Sequence, residues 1–256
     1  MRAHPFPYLL FCCLLAIGAD AALAAPVGLV QRASGDTWIY SRAERARHLN
    51  AGEAFESGVS ITTGPKSSVV LRFNDGQIVV LASNATFRVK TFVFSPEQPD
   101  QGQVRFELVK GGMRSVTGII GEKNRSGWLL ETPGAIVGIG GTDFFVVIEQ
   151  GLYAHVNAGA VTLSNNAGAA TVTAGGTGFV AGDAAMPAVT ATVPDGMFAE
   201  LQAVAAGGGA PASGATSAAA GGASAMTMSN AAVALGIAAA AIAAAGGGQG
   251  SSTTHH

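Results

Sequence analysis

Short apolar runs separated by turn residues fill the chain from residue 25 to about residue 185. In residues 68–73, Val69, Leu71 and Phe73 alternate with more polar positions, as in a strand with one more deeply buried face. Residues 74–77 contain Asp-Gly, the favoured centre of a hairpin turn. Residues 78–81 are apolar again, so the pattern predicts a β-hairpin here. No part of this region shows the apolar period of a helix.

The same pattern predicts further strands, with turns about every ten residues. The expected strands are 27–30, 37–40, 58–63, 68–73, 78–81, 86–94, 104–109, 153–156, 159–163, 170–173 and 178–180. Residues 41–50, 95–102 and 121–127 are polar and are expected to be exposed loops, and Gly111 and Gly112 are expected to form a turn. Many short strands predict an all-β fold, a solenoid- or sandwich-like array.

Residues 131–147 are the most informative stretch of the chain. Apolar residues fill positions 136, 137, 139 and 144–147, while glycines at 134, 138, 140 and 141 divide the run. Pro133 biases Thr132 toward an extended conformation. Glycine serves where the backbone needs a positive φ or passes close to another segment. The stretch therefore predicts two buried strands joined by a tight glycine corner.

The first 24 residues have the features of a secretory signal peptide. Arg2 supplies the positive charge, residues 8–17 form the apolar core, and cleavage is expected between Ala24 and Ala25. The alternative, an uncleaved anchor, needs a longer apolar core than this one. The protein is therefore expected to be exported, either to the periplasm or to the cell surface or medium.

Cysteine chemistry is not expected in the exported protein. Cys12 and Cys13 are the only cysteines, and both lie in the leader. A lipoprotein is disfavoured because Phe11, rather than a small residue, precedes Cys12. The mature chain therefore has no disulfide, no thiol nucleophile and no thiolate metal ligand.

The composition changes near residue 188. Residues 186–205 are a connecting segment in which Pro194 to Val204 can form a short helix, with Asp195 as its N-cap. Residues 206–256 form a low-complexity tail rich in Ala, Gly and Ser, and its apolar part spans 231–245. As a helix, that part would be about 22 Å long, short of a bilayer core. Two interpretations stand: a disordered or self-packing tail, and a weak membrane or self-association element using its small-residue stripe.

Composition argues against nucleic-acid binding. Charged residues make up 12% of the chain and the formal net charge is −2. Binding to a phosphate backbone needs an excess of basic residues, which this chain lacks. No nucleic-acid partner is therefore expected.

The sequence contains no recognisable catalytic or cofactor motif. His48 and His155 stand alone, and the glycines at 138–141 are not followed by the helix of a dinucleotide site. No catalytic residue, metal ligand or cofactor is therefore expected, and the binding residues stay unassigned. A glycosidase would need two facing carboxylates, and the candidates would be Asp75, Asp143 and Glu149.

Individual candidates have more ordinary interpretations. Asp75 is expected to be a turn residue, and Asp143 either lies exposed on a strand or caps the amides of the glycine corner. Aromatic rings can stack on sugars, but packing is the favoured interpretation for the four candidates, which are Trp38, Tyr40, Trp128 and Tyr153.

Several motifs occur in the order found in the FecR domain, which residues 27 to about 180 resemble. They are a strand pair at 28–40, an apolar-Thr-x-Gly step at 61–64, Phe-x-Asp-Gly at 73–76, Leu-x-x-Gly-x-x-Arg at 108–114 and Thr-Pro-x-Ala with Gly-x-x-Gly-Thr-x-Phe at 132–144. The family-motif residues, expected to be structural, are Phe73, Asp75, Gly76, Gly111, Thr132, Pro133, Gly138, Gly141, Thr142 and Phe144. Gly140 stands where the family usually has arginine, so any interaction of that arginine must be absent or replaced.

The resemblance implies an all-β domain outside the cytoplasm. Well-known FecR proteins regulate sigma factors through a cytoplasmic segment that precedes a membrane helix, whereas here a signal peptide precedes the domain directly. The expected protein is therefore a free-standing exported FecR-domain protein, with residues 25–185 as the domain. The leading hypothesis is a non-catalytic binding or scaffold module that contacts an unidentified protein or envelope polymer. The alternative is an extracytoplasmic signalling component that works with a separate membrane partner.

Overall fold

The computed structural model describes residues 25–41, 45–190 and 192–207, all within one structural unit, Met1–Gly214. The expectations for the leader, residues 1–24, and for the tail, including 231–245, lie outside the described residues. The fold below is therefore that of the β-rich body and the segment that follows it.

Strands dominate the described part of the chain. They are β1 (Gly28–Ser34), β2 (Thr37–Tyr40), β3 (Arg47–His48), β4 (Ala54–Phe55), β5 (Ser60–Thr63), β6 (Ser68–Phe73), β7 (Ile78–Leu81), β8 (Thr86–Val93), β9 (Gln103–Val116), β10 (Trp128–Glu131), β11 (Ile136–Ile139), β12 (Asp143–Ile148), β13 (Leu152–Ala158), β14 (Ala160–Asn165), β15 (Gly168–Thr173), β16 (Thr177–Val180) and β17 (Ala188–Thr190). The helices are α1 (Ile119–Lys123) and α2 (Ala199–Ala205), with single 3-10 turns at Pro99–Gln101 and Arg125–Gly127. The predicted all-β fold class is confirmed.

The strands pair into two rows that share β9. Sheet A has the order β4–β1–β6–β7–β9–β12–β13–β16–β17. Sheet B has the order β3–β2–β5–β8–β9–β10–β11–β14–β15. All these neighbours are antiparallel except β9 and β10, which are parallel. The result is one continuous, unclosed sheet that folds over at β9 into a sandwich.

Strand β9 crosses between the sheets at Gly111. Its first part pairs with β8 and β10 in sheet B, and its last part pairs with β7 and β12 in sheet A. Gly111 has φ +81°, and a Cβ there would lie 2.6 Å from the Cα of Ala85. The predicted turn at Gly111 and Gly112 is therefore wrong, because the positive φ redirects one continuous strand instead of reversing it.

The core lies between the inner faces of the two sheets. Phe73 of sheet A and Phe106 of sheet B pack with their ring centroids 4.9 Å apart, and Trp128 lies edge-on between Phe106 and Phe144. Aliphatic side chains from both sheets fill the remaining space: Val30, Ile61, Leu71, Leu81, Val89, Leu108, Val137, Val146, Val156 and Leu163. Aromatic contacts therefore join the sheets through the middle of the sandwich.

The glycine corner predicted within 131–147 is confirmed. Strand β11 belongs to sheet B and β12 to sheet A, so the chain changes sheets at residues 140–142. Gly141 has φ +76°, and the backbone N–H of Thr142 donates to Oγ1 of Thr117 at 2.9 Å. The hydroxyl of the residue that directly follows β9 thus holds this corner.

Two polar segments are more ordered than the sequence indicates. Residues 121–127 are not a fully exposed loop, because α1 begins at Ile119 and places Ile120 and Gly121 in the interior. Ile120 packs closely against Gly102, where a Cβ would lie 2.6 Å from its Cγ1. The expected loop at 41–50 contains the short strand β3, which pairs with β2.

Helix α2 packs on the outer face of sheet A. It begins at Ala199, after Phe198, which is its N-cap residue and makes no side-chain cap hydrogen bond. The predicted N-cap, Asp195, is therefore wrong. Residues 194–197 form a turn instead, with Met197 N–H donating to the Pro194 carbonyl and Gly196 at φ +72°. A positive φ interrupts the helical path and delays the start of the helix.

Candidate functional site

The middle of the outer face of sheet A is apolar, which is unusual for a sheet face that would otherwise meet water. Strands β6, β7 and β12 are apolar at successive positions, so they carry apolar side chains on both faces. Such runs are typical of strands covered on both sides. The apolar outward side chains are Leu29, Val70, Ile78, Val80, Val116, Phe145 and Val147.

Helix α2 covers the middle of this face. Leu201 and Val204 are 1% exposed and pack against Val70, Val80, Phe145 and Val147. Burying a leucine or valine side chain contributes about 1.5–3 kcal/mol, so these two contacts hold the helix in place.

Polar contacts fix the two ends of α2. The Glu200 carboxylate accepts from the backbone N–H and the hydroxyl of Ser83, both at 2.8 Å. At the other end, the Arg32 guanidinium donates to the Val204 carbonyl at 3.2 Å. An acidic side chain near the start of a helix and a cationic side chain near its end both interact favourably with the helix dipole.

Two hollows flank α2 on the outer face. The first, the Glu200 hollow, has a volume of about 330 Å³ and is lined by Ser83, Lys110, Val147, Glu149 and Glu200, among others. The second, the Arg114 hollow, has a volume of about 290 Å³ and its lining includes Arg32, Val80, Arg114, Val116 and Val204. Each combines an apolar floor with charged side chains at the rim, an arrangement suited to gripping a side chain of a partner.

A bidentate ion pair lies beside the Arg114 hollow. Arg114 Nε and Nη2 donate to the two carboxylate oxygens of Asp143 at 2.8 and 2.7 Å, and Asn157 adds a third hydrogen bond at 3.2 Å. The guanidinium also lies over the ring of Phe145, 5.4 Å from its centroid. Burial raises the pKa of Asp143, but the hydrogen bond and charge of Arg114 outweigh it, so the pKa lies below its ordinary value.

The Asp143→Asn variant should lose stability in a pH-dependent way. Because the pKa of Asp143 is lowered by folding, its contribution is present above the ordinary Asp pKa and is lost as pH falls through the folded pKa. At pH 7 the variant should lose about 1–2 kcal/mol of unfolding free energy. Urea titrations of both proteins at pH 7 and pH 3 measure this, and the difference should shrink at pH 3. An unchanged difference would contradict the ionic assignment.

An aromatic group lies on the outer face at the start of α2. The rings of Phe145 and His155 each lie 5.6 Å from Phe198, which is the residue before α2. His155 Nδ1 also lies 2.9 Å from the hydroxyl of Thr177. His155 is thus a packed strand residue, as the sequence favoured.

Asp75 is buried and holds a turn together. Its side chain accepts from the backbone N–H groups of Gln77 at 2.9 Å and Ile120 at 3.3 Å, so it links the β6–β7 hairpin to α1. The predicted turn role is confirmed, with the additional link to α1. Burial raises the pKa of Asp75 above its ordinary value, more than these two backbone hydrogen bonds lower it.

Asp75→Asn should show the opposite pH dependence to Asp143→Asn. Folding raises the pKa of Asp75, so wild-type stability falls as pH rises from the ordinary Asp pKa through the folded one. The Asn side chain keeps one acceptor oxygen, but its NH2 group faces a backbone N–H that the carboxylate had accepted from. This contact should lower the free energy of unfolding by about 1–3 kcal/mol at pH 4. The loss relative to wild type should be smaller at pH 7, as measured by urea unfolding. A larger loss at pH 7 than at pH 4 would contradict this assignment.

Residues 59–162 match the family model described as FecR protein. This segment is a FecR domain. It contains β5 to β13 with the β9 crossover and the glycine corner, while β1 to β4, β15 to β17 and α2 lie outside it. The outer face of sheet A is therefore built mostly by the FecR domain and covered by a helix from beyond it.

The chain is also similar to parts of solved structures. Two crystal structures of a candidate anti-sigma factor from Parabacteroides distasonis ATCC 8503 are each 15% identical to this chain. The TM-scores are 0.42 and 0.45, with 51% and 56% of this chain covered. The chain spans 58% and 64% of those two chains. No curated protein matches this chain.

The motif residues of the FecR domain occupy the core, the turns and the corner. Phe73 and Phe144 are buried in the core. Gly76 has φ +87° in the β6–β7 hairpin. Thr132 closes the turn that contains Pro133, because its hydroxyl donates to the Ala135 carbonyl at 2.6 Å.

The remaining motif positions surround the change of sheet. Gly138 lies in β11, paired with Leu129 and Thr162. Thr142 is buried, and its hydroxyl has no hydrogen-bond partner among the described residues. Gly140, where the family usually has arginine, donates its N–H to the Ala160 carbonyl at 3.0 Å. The ion pair beside this corner is instead the one between Arg114 and Asp143.

The FecR domain does not assemble the other chemistry considered from the sequence. Asp143 is neither a free surface carboxylate nor a cap of the corner amides, since Arg114 binds both its oxygens. Asp143 and Glu149 lie at opposite ends of β12, about 20 Å apart, too far for a glycosidase pair. Asp75 is enclosed by backbone N–H groups.

The four candidate sugar-stacking aromatics do not share a face. Trp128 is buried in the core, and Trp38 and Tyr40 point outward from sheet B. Tyr153 lies on sheet A, where it packs against Phe179 with a centroid distance of 4.7 Å. The sugar-face interpretation is therefore wrong.

Within the described ranges no cluster of His, Cys, Asp and Glu could hold a metal, and no helix is long and apolar enough to cross a membrane.

Proposed function

We propose that this protein is a non-catalytic binding module of the bacterial cell envelope and that it contacts its partner through the outer face of sheet A. The observation that carries the proposal is the apolar face with a hollow on each side of α2. A face with this composition suits a partner that supplies apolar side chains together with a charged group. A protein fits better than a polysaccharide, because a sugar chain would need exposed aromatic planes and polar side chains.

The placement of charge supports a protein partner. Arg114 and Asp143 are 26% and 22% exposed, so a docked partner would bury the pair further and strengthen its electrostatic interactions. Leu29 and Val116 nearby are 53% and 37% exposed, which leaves apolar surface for the partner to cover. An apolar centre beside a charged rim is the usual anatomy of a protein interface.

Paired substitutions test this surface. The variant Leu29→Ser with Val116→Ser removes exposed apolar area from sheet A, and Tyr40→Ser with Ile136→Ser does the same on the outer face of sheet B. Each tagged protein is cross-linked in the envelope of the producing cells, and its captured component is identified and quantified. The sheet A variant should lose capture by about tenfold or more, and the sheet B control should keep it. Equal capture by both variants would sink the proposal, as would the absence of any captured component.

Export is part of the proposal and rests on the first 24 residues. Cells that express the full chain are fractionated in parallel with cells that express a chain stopped at Ala206, with and without external protease. A leader-processed protein outside the cytoplasm is expected in both cases. Membrane association of the full chain alone would make the tail an anchor, and retention of both chains in the cytoplasm would contradict export.

A signalling role is the second candidate function. It is favoured by the FecR domain at 59–162 and would require a separate membrane partner that carries the signal inward. A deletion strain should then show altered expression of extracytoplasmic-stress or metal-uptake genes, restored by the intact gene. An unchanged transcriptome would remove this candidate and leave the binding module without a regulatory role.

A further inference from the structure

The C-terminal strands of the sandwich, β13 to β16, carry no Asp, Glu, Lys or Arg side chain. Between Glu149 and Asp183 the sequence contains no Asp, Glu, Lys or Arg. This run forms strands β13, β14, β15 and β16. The neutral composition extends to the outermost strand of sheet B, where natural proteins commonly place charge to prevent edge pairing.

Strand β15 is that outermost strand, and its outer edge is unpaired in the described structure. The backbone N–H of Ala174 donates to the Gly159 carbonyl at 3.1 Å. This bond identifies the residues of the β14–β15 hairpin whose backbone groups point toward the paired strand. Because hydrogen-bonded and non-bonded pairs alternate in an antiparallel ladder, Ala169, Thr171 and Thr173 direct their backbone groups away from β14. Among the described residues only Gly176 hydrogen-bonds to these outward backbone groups, by donating its N–H to the Thr173 carbonyl.

The opposite edge of sheet B differs in length and charge. It is formed by β3, which has two residues, Arg47 and His48, whereas β15 has six uncharged residues. The outer edges of sheet A are also short, with two residues in β4 and three in β17. Shortness and charge are the devices that protect sheet edges, and β15 has neither.

We propose that β15 is a self-association edge at which two copies of this chain pair antiparallel and join their B sheets. The strand is suited to a copy of itself because a two-fold axis at Thr171 sets Thr171 opposite Thr171 and Ala169 opposite Thr173. Threonine pairs stabilise neighbouring strands, and no like charges meet. About four backbone hydrogen bonds would form across the axis, because the Thr173 carbonyl of each copy already accepts from Gly176. An isologous contact of this kind closes at two copies.

A charge at the two-fold axis tests the edge, with a matched control one strand inward. Thr171→Lys places two ammonium groups opposite each other across the axis. Thr162→Lys adds the same charge on the same face of β14, where Thr162 pairs with Thr171 inside one chain. Exported full-length proteins are compared by sedimentation velocity at about 1–100 µM, a range that resolves micromolar dissociation constants.

The wild type and Thr162→Lys should dimerise alike, and Thr171→Lys should raise the dissociation constant by about tenfold or more. Circular dichroism and thermal midpoints confirm that both variants are folded. A monomeric wild type at about 100 µM would overturn the proposal, since a micromolar dimer would be largely formed there. So would a Thr171→Lys protein that dimerises like the wild type, because association would then arise elsewhere, for example in the tail.

Cysteine cross-linking locates the contact independently. The natural cysteines, Cys12 and Cys13, both precede Ala25. Thr171→Cys therefore introduces the only cysteine in the sequence from Ala25 onward. Facing residues of a bonded antiparallel pair lie within disulfide range, with Cα atoms about 5.5 Å apart. Mild oxidation should link Thr171→Cys into a covalent dimer, and Thr162→Cys, about 15 Å from its copy, should stay unlinked. Linking at Thr162 but not at Thr171 would overturn the register.

Discussion

Replacing Trp128 with alanine is expected to lower the free energy of unfolding by about 3–5 kcal/mol, the range for a large aromatic side chain lost from a packed core. Trp128 is completely buried and lies edge-on to Phe106 in sheet B and Phe144 in sheet A. Its indole N–H donates to Oε1 of the buried Gln77 at 2.9 Å. The substitution thus opens a cavity between the sheets and removes a hydrogen-bond donor.

Trp128→Phe separates these two effects and keeps the prediction measurable if the alanine variant fails to fold. Phenylalanine keeps most of the packing but leaves Gln77 Oε1 without its donor, for a loss of about 1–3 kcal/mol in urea titrations. Trp38→Phe is the control, since the only other tryptophan is partly exposed and donates to Asp36 at the surface. A Trp38 variant as destabilised as the Trp128 variant would contradict the proposed centre of the core.

Gly111→Ala is the second substitution with a large expected effect, about 2–4 kcal/mol of unfolding free energy. Two costs combine, because the residue has φ +81° and the new Cβ would lie 2.6 Å from the Cα of Ala85. Backbone atoms cannot swing aside as a flexible side chain can. The crossover of β9 between the sheets would have to shift, and thermal or urea unfolding would report the loss.

Gly141→Ala is the matched control for the crossover. Gly141 also has a positive φ, +76°, but no atom lies within 4 Å of the position its Cβ would take. Only the backbone cost applies, about 1 kcal/mol. Equal losses in the two variants would show that the approach of Ala85 does not constrain β9, and the explanation of the crossover would fail.

The sequence was sufficient for elements with a clear local signal. Strands β2 and β6 have the predicted bounds, and the Asp-Gly hairpin joins β6 to β7 as expected. Short strands such as β3 and β4 were missed because two residues carry no period. Gly111 was misassigned because a glycine pair usually marks a turn, and the approach of Ala85 that makes it a crossover is a tertiary contact.

The candidate site was harder to predict than the fold. A signal for it exists in β12, where Phe144 and Phe145 are adjacent and therefore point to opposite faces, and both are buried. Such a run indicates that something covers the outer face of the sheet. The sequence does not show that the cover is α2, or that Arg114 and Asp143 meet beside it, because both depend on the order of strands in sheet A.

Site-specific photo-cross-linking in living cells shows whether the outer face of sheet A is the binding surface. A benzoylphenylalanine replaces Val116 on sheet A or, as control, Ile136 on the outer face of sheet B, positions that are 37% and 44% exposed. We expect light to link the Val116 variant to one defined envelope component and the Ile136 variant to yield little of it. The same component linked equally from both positions, or from Ile136 alone, would show that the outer face of sheet A is not the binding surface.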